Sequence, residues 1–525
     1  MKNNLNSLKV VLIIFFLFSV ILPLLNIFSY IDFAALDKFM SNALLKKAIA
    51  NSVFYSTVSA VISISLGFWF AYMILRTKIR YKELFIALFA VPMLIPSISH
   101  GMGLIVIFGT NGFLANFFNW QESIYGSIGI VVGSLLYSFP VAFLMILDVL
   151  KYEDGSVYEA ADVLGISKFK QIKDITIPFL VKPLITVFFA VFTMIITDYG
   201  VPLIVGGKTI TLPVLMYQEV AGLLNFSKGA IIGAVLLIPA IIAFVLDSVI
   251  NNSKNSNKII TPINVVNNKA RDYFAYGSIS IGLMCLLAPI FVFIPLSLMR
   301  KYPFDLAFTL NNVVNTFNLN GLNYLINSLV IALVVACIGT IGAFINAYLT
   351  VRVRSKLSLV LHLSTIISLA IPGIVLGLAY ILFFKGSIIY GTLTILIVVN
   401  TVHFFASPYL MIYNVFGKMN GDIENTAFIL GISRFKVIKD VIIPQVKGTL
   451  YEMFSYYFVN CMMTISAVVF LSNTSNKPIA LLIPQFEGQM MLECAAFVSV
   501  IILVTNIFMK VLIAFLKHRG EKDVE

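Results

Sequence analysis

Apolar runs long enough to cross a lipid bilayer recur along almost the whole chain, and no other feature restricts the fold so strongly. A bilayer core asks for roughly 20 apolar residues per helix. Runs of that kind occur near 8–30, 48–75, 84–109, 126–150, 179–198 and 229–250. After a polar gap six more follow, near 274–299, 323–350, 357–384, 387–416, 446–471 and 495–516. The expected fold is therefore an all-α polytopic membrane protein with about 12 transmembrane helices. Composition agrees: of 525 residues 60% are hydrophobic and 11% charged, where soluble chains carry about 25% charged residues. That excludes a soluble enzyme, a disordered chain and a collagen-like one. The four cysteines are scattered without a CxxC pair, and the four histidines lie far apart, so neither a metal site nor a cofactor is expected. Lys2 and Lys9 precede the first run as in a signal peptide, but that run is long and no small-x-small cleavage site follows it. It reads as a retained span.

Charge fixes the expected orientation. With the N-terminus inside, 27 of the 36 basic residues fall on the cytoplasmic side, as the positive-inside rule asks. Both termini are then cytoplasmic in a multi-pass protein of the cell membrane. The net charge of +12 is mostly this topology signal, and no basic run interleaved with aromatics points to nucleic acid.

The chain also repeats itself. Residues 51–108 align on 327–384 without a gap: Asn51-Ser52 on Asn327-Ser328, Arg76 on Arg352, Ile95-Pro96 on Ile371-Pro372, and Gly101 on Gly377. Further on, Ala161–Pro178 aligns on Ala427–Pro444 with 12 identities in 18 positions. Six spans per unit is an even number, so the two repeats enter the membrane the same way round and are parallel. The expected organisation is a first unit over 1–250, a solvated cytoplasmic linker over 251–272, and a second unit over 273–525.

The best-matched stretch of the repeat is a loop, although loops drift more readily than the elements they join. Its first copy, within 153–178, runs Glu159-Ala160-Ala161 to Gly165 and ends at Ile177-Pro178. The sequence predicts a helix, a turn at Gly165, and a second short helix stopped by Pro178. Ala160 and Ala161 would let a neighbouring backbone approach. Ile166, Phe169, Ile172 and Ile177 would form an apolar stripe, with Lys168, Lys170 and Lys173 facing out. The second copy, within 419–444, has Asn425-Thr426-Ala427, Gly431 and Pro444 in the corresponding places.

This loop resembles the EAA motif of binding-protein-dependent ABC importer permeases, with Glu159, Ala160, Ala161, Gly165 and Pro178 on the motif positions. The resemblance spans nearly the whole chain and is nearest to fused permeases for ferric iron, 2-aminoethylphosphonate, thiamine and polyamines. It implies the type I importer permease fold and a pair of ATPase-coupling loops. It also implies two copies of a cytoplasmic ATPase subunit, and an external solute-binding protein that makes most of the substrate choice. Asn425 replaces the motif glutamate and Glu424 stands one place early, so the second loop is expected to be the weaker contact.

No ATP-binding loop is expected in the chain itself. Gly206-Gly207-Lys208-Thr209 has Pro202 where a Walker A motif needs its first glycine, and the expected topology puts it outside. The chain thus reads as a transport subunit and not an enzyme. Asp198-Tyr199 ends the fifth span. A carboxylate at membrane depth usually faces a cavity or pore, which makes these two residues candidates for the translocation path; the alternative is a solvated interfacial aspartate. Two further readings stand beside the importer. An ion-coupled secondary transporter of two parallel halves would want ionisable residues at the midplane, and few are present. A membrane scaffold would leave the paired loops unexplained.

Overall fold

The computed structural model describes residues 2–118, 124–250, 261–353 and 355–522; of the linker expected over 251–272, residues 251–260 lie outside the described residues. Among the described residues the regular structure is helical apart from a small antiparallel hairpin, Met299–Lys301 with Asp305–Phe308. Among the described residues eight helices are long and apolar enough to cross a membrane, or eleven if each bent pair counts once. In chain order the elements used below are α1 Leu5–Ser29, α2 Ala43–Arg76, α3 Lys82–Leu94 and α4 Ser97–Phe108. They continue with α5 Ser127–Leu150, α6 Gly155–Val163, α7 Lys168–Ile196, α8 Gly200–Val205 and α9 Phe226–Ile250. The second series is α10 Lys269–Ser297, α11 Gly321–Val351, α12 Lys356–Ala370, α13 Gly373–Phe384, α14 Leu393–His403, α15 Ala406–Lys418, α16 Asp422–Ile429, α17 Ile443–Met463 and α18 Leu492–Lys522.

Three expected spans differ from straight rods. Those near 84–109 and 357–384 are bent by 97° and 109°. The break falls on the matched Ile-Pro dipeptides, where Ile95 and Ile371 are extended, as a residue before proline prefers. The span near 387–416 is α14 and α15, bent by 45°. The run near 446–471 is helical only to Met463, and α17, with Lys447, Glu452 and Asn460 within it, is more polar than its counterpart α7.

The helices group into two compact units that interleave along the chain. One contains Met1–Leu36, Glu219–Leu237 and Asn311–Glu525; the other contains Asp37–Gln218 and Ile238–Leu310. The first span of each half therefore belongs with the bulk of the opposite half, and the compact units do not coincide with the stretches 1–250 and 273–525. Hydrogen bonds are among the contacts that tie these spans into their units. Lys9 of α1 is fully buried, and its ammonium donates to Val353 O and, at 2.8 Å each, to Ser355 Oγ and Ser358 Oγ. All three of its donors are thus used. In the other unit the loop after α2 is tied to α10: Lys78 N–H donates to Asp272 Oδ1 at 3.2 Å and Arg80 N–H to the Tyr276 hydroxyl at 2.6 Å.

Residues matched between the repeats make matched contacts within each unit. Asn51 donates to Ile210 O at 2.9 Å, and Ser52 Oγ accepts from Leu212 N–H at 2.8 Å. Asn327 donates to Ser475 O at 3.0 Å, and Ser328 Oγ accepts from Ile479 N–H at 2.7 Å. One contact is conserved by exchange of partners. In the first half Gly200 lies against Ser97, where an added Cβ would come within 2.5 Å of the hydroxyl; in the second, Gly373 lies against Ser466, where it would come within 2.6 Å. The space at this crossing admits one side chain, from either strand of the contact. Gly373→Ser should therefore overpack the crossing by about 1–3 kcal/mol, and adding Ser466→Gly should restore most of the loss. Thermal unfolding of the detergent-solubilised single and double variants checks this, and equal instability of the two would refute it.

Candidate functional site

Each matched loop folds as a short helix, a glycine turn and the start of a long helix. In the first copy, α6 ends at Gly165, whose φ is +69°. Gly165 N–H donates to Asp162 O at 3.0 Å and Ile166 N–H to Ala161 O at 2.9 Å. This is a Schellman closure, and only glycine enters its left-handed position without strain. The second copy repeats it: Gly431 has φ +70°, with Gly431 N–H to Phe428 O at 3.1 Å and Ile432 N–H to Ala427 O at 2.8 Å. Ala161 and Ala427, which supply the accepting carbonyls, point inward and are buried. Ala160, Glu159, Asn425 and Thr426 are exposed.

Pro178 and Pro444 do not stop the second helices. The helix runs on as α7 through a π-turn at Ile172–Thr176, closed by Ile177 N–H on Ile172 O. The matching turn, Ile438–Ile442, is closed by Ile443 N–H on Ile438 O. Proline brings no N–H and crowds the preceding turn; the wider π-turn absorbs that defect, so each glycine turn is joined through continuous helix to a long span.

The exposed apolar surface overlaps the expected stripe only in part: Phe169 and Ile177 are exposed, Ile166 and Ile172 are half-buried, and residues outside the stripe join it. At the tip of the first loop Val163, Leu164 and Phe169 are 88%, 76% and 79% exposed, and at the second Phe428, Ile429 and Phe435 are 79%, 82% and 77% exposed. The sequence signal for this was present in the match itself: apolar residues just before each glycine, on helices too short to bury them.

The base of each loop is held by a buried ion pair. Arg76 at the end of α2 pairs with Glu153, and its guanidinium lies 4.5 Å from the Tyr158 ring centroid. The Tyr158 hydroxyl donates to Glu153 at 2.8 Å and lies 2.7 Å from Thr176 Oγ1 in the π-turn. In the second half Arg352 grips Glu424 through Nε at 2.7 Å and a second nitrogen, and also donates to Met419 O at 3.1 Å and Asn420 O at 2.7 Å. Glu424 aligns with Tyr158. The glutamate standing one place early is thus the carboxylate that holds the second loop to its long helix.

Two features are confined to the first copy. Asp162 accepts from Lys168 at 2.6 Å and from Gln171 at 2.6 Å, so Lys168 closes the turn and does not simply face out. That lysine first, and then Gln171, hold the Asp162 carboxyl below its usual range. In addition, Thr261 from the linker accepts the Gly155 N–H at 2.8 Å and the Ser156 N–H at 3.0 Å. Its hydroxyl bond to Asp154 is the main cause that brings that carboxyl down to about 2. Both folded values lie below the unfolded ones, so these contributions persist above the ordinary carboxylate range and fade only as pH falls through it.

Asp198 and Tyr199 lie apart from the loops. Asp198 caps α8, accepting from Gly200 N–H at 3.3 Å, Val201 N–H at 3.0 Å and the Ser97 hydroxyl at 2.5 Å. Tyr199 is buried and stacks on Tyr217 with centroids 5.4 Å apart. Gly206–Thr209 forms a turn closed by Thr209 N–H on Gly206 O at 2.8 Å, with no helix starting at its lysine as a phosphate loop requires. Among the described residues no group of three or more His, Cys, Asp or Glu could hold a metal ion.

Residues 63–254 and again 338–521 match the family described as binding-protein-dependent transport system inner membrane component. The chain is 26% identical over 478 residues to the ferric transport system permease protein FbpB of Actinobacillus pleuropneumoniae, covering 84% of this chain and 66% of that protein. It is 25% identical over 464 residues to a putative ferric transport system permease protein, FbpB 1, of Haemophilus influenzae, covering 84% and 72%. A probable sulfate transport system permease protein of Prototheca wickerhamii is 25% identical over 237 residues, which cover 43% of this chain but 93% of that protein. Nearly the whole of that protein thus matches less than half of this chain.

Removing one member of a buried pair strands the other charge, at about 3–5 kcal/mol. Arg352→Met should therefore loosen the loop over 419–444 and speed tryptic cleavage there by two orders of magnitude or more, while Arg352→Met with Glu424→Met should recover most of the protection. Cleavage at the parent rate in the single variant would show that the pair does not hold the loop.

Proposed function

From the chain's membership of the binding-protein-dependent transport system inner membrane components, we propose that it is the fused permease of an ATP-driven importer. On this reading both membrane units of the transporter are in one chain, and both termini are cytoplasmic. Two copies of a separate ATPase subunit sit on the loops around Gly165 and Gly431, and an external binding protein delivers the solute. Ferric iron is the favoured cargo, because the relatives that match along most of the chain are named for ferric transport; 2-aminoethylphosphonate, thiamine and polyamines are the alternatives.

The observation that carries the proposal is the pair of loop tips. Each is an exposed apolar knob on a rigid base, closed by a left-handed glycine and continuous with a long helix. A partner that covers the tips gains apolar burial, and through the π-turn its motion reaches α7 and α17. Glu159 offers a carboxylate to that partner where Asn425 offers only an amide, which favours the first loop as the stronger contact. An ion-coupled mechanism is less well supported, since the Asp198 carboxylate already has three donors.

Burying a Leu or Ile side chain is worth about 1.5–3 kcal/mol, so Leu164→Asp or Ile429→Asp should weaken ATPase association at least tenfold, and the double variant should abolish co-purification and uptake. Gly165→Val should likewise stop uptake while membrane insertion persists. A double aspartate variant that keeps its ATPase and imports normally would dispose of the coupling assignment.

A further inference from the structure

Within the unit formed by Asp37–Gln218 and Ile238–Leu310, α10 packs beside α2 and α5 with a space between them. The cavity measures about 790 Å³ and is walled by Trp69 and Phe70 of α2, Phe139 of α5, and Phe274, Gly277 and Cys285 of α10. Its polar pair is already satisfied, since Trp69 Nε1 donates to Ser278 Oγ at 2.8 Å. Trp69, Phe274 and Cys285 are exposed, so the cavity opens sideways at membrane depth. Beyond the neighbouring residues and backbone of its own helix, no heavy atom lies within 4 Å of where a Gly277 side chain would begin, so the glycine leaves the space open. Along α10 the lining runs from Phe274 to Leu286, about 18 Å at 1.5 Å per residue.

One end of this slot is cationic. The loop after α2, which carries Lys78, Arg80 and Lys82, is bonded to Asp272 and Tyr276 at the start of α10, and the first turn of α10 carries Lys269 and Arg271. Facing them are Asp272, which pairs with Arg271 at 3.0 Å, and Glu83 in the first turn of α3. Five cations against two carboxylates leave a positive surplus where an amphiphile in the slot would carry its head. Apolar walls of this length with a cationic end suit a chain that is both greasy and anionic-headed.

We propose that the cavity seats one acyl chain of an anionic glycerophospholipid, whose head group lies at Lys78, Arg80 and Lys269. Each engaged cation near the bilayer surface should favour the anionic lipid about fivefold. The chain contains two tryptophans, so Trp120→Phe leaves Trp69, on the cavity wall, as the sole indole reporter. The full-length protein with this change is reconstituted into phosphatidylcholine vesicles containing a minor fraction of either brominated phosphatidylglycerol or brominated phosphatidylcholine. Trp69 fluorescence should be quenched well in excess by the brominated phosphatidylglycerol. Gly277→Phe, which fills the slot, should remove the excess; Lys78→Gln with Arg80→Gln and Lys269→Gln should make the two lipids equivalent while leaving some quenching by both. Equal quenching by the two lipids in the parent, or an excess untouched by both sets of changes, would overturn the proposal.

Discussion

A charged pair withdrawn from water at the foot of each loop is the contact on which the rest of the arrangement depends. Desolvating a guanidinium and a carboxylate is costly, and the attraction between them repays that cost only when the remaining donors are also met. Both halves meet this condition by different means. Arg76 shares Glu153 with the Tyr158 hydroxyl and lies on its ring; Arg352 takes Glu424 through two nitrogens and adds two backbone carbonyls. The result in each case is a loop fastened to the end of a long helix, so that an exposed apolar tip can be pushed without folding away.

The two halves show how a duplicated fold drifts while its constraints hold. The carboxylate that pairs with the long helix stands before α6 in the first copy and within α16 in the second, and in the first copy the Tyr158 ring occupies the place that Glu424 holds in the second. At the crossing near Gly200 and Gly373, glycine and serine have changed sides and the single hydroxyl still fits. What is kept is a geometric requirement, and either partner of a contact can fulfil it.

Much of this was legible in the sequence. The number and rough limits of the apolar runs, the parallel repeat and the two glycine turns follow from hydropathy, alignment and the need for a left-handed residue. Three things were not. The bends at Ile95-Pro96 and Ile371-Pro372 sit inside runs whose apolar character never falters, so hydropathy cannot see them. Proline at 178 and 444 signals a helix stop, and only the backbone shows the π-turn that takes it up. The exchange of first helices is tied in part by Lys9, which sequence alone reads as a topology charge, and by Asp272 and Tyr276, which carry no motif. For Asp198, membrane depth suggested a path; its hydrogen bonds to α8, which the sequence did not announce, make it a helix cap as well.

On the proposed function, the central claim is that the ion pairs make each loop a stiff lever between nucleotide hydrolysis by the ATPase subunit and transport. The direct measurement is the number of ATP molecules hydrolysed per solute imported, taken on the complete transporter in proteoliposomes with Arg76→Met or Arg352→Met. The account predicts that hydrolysis continues with the ATPase still bound while uptake falls, so that the ratio rises steeply. A ratio equal to the parent's, whether both rates are kept or both fall together, would contradict it.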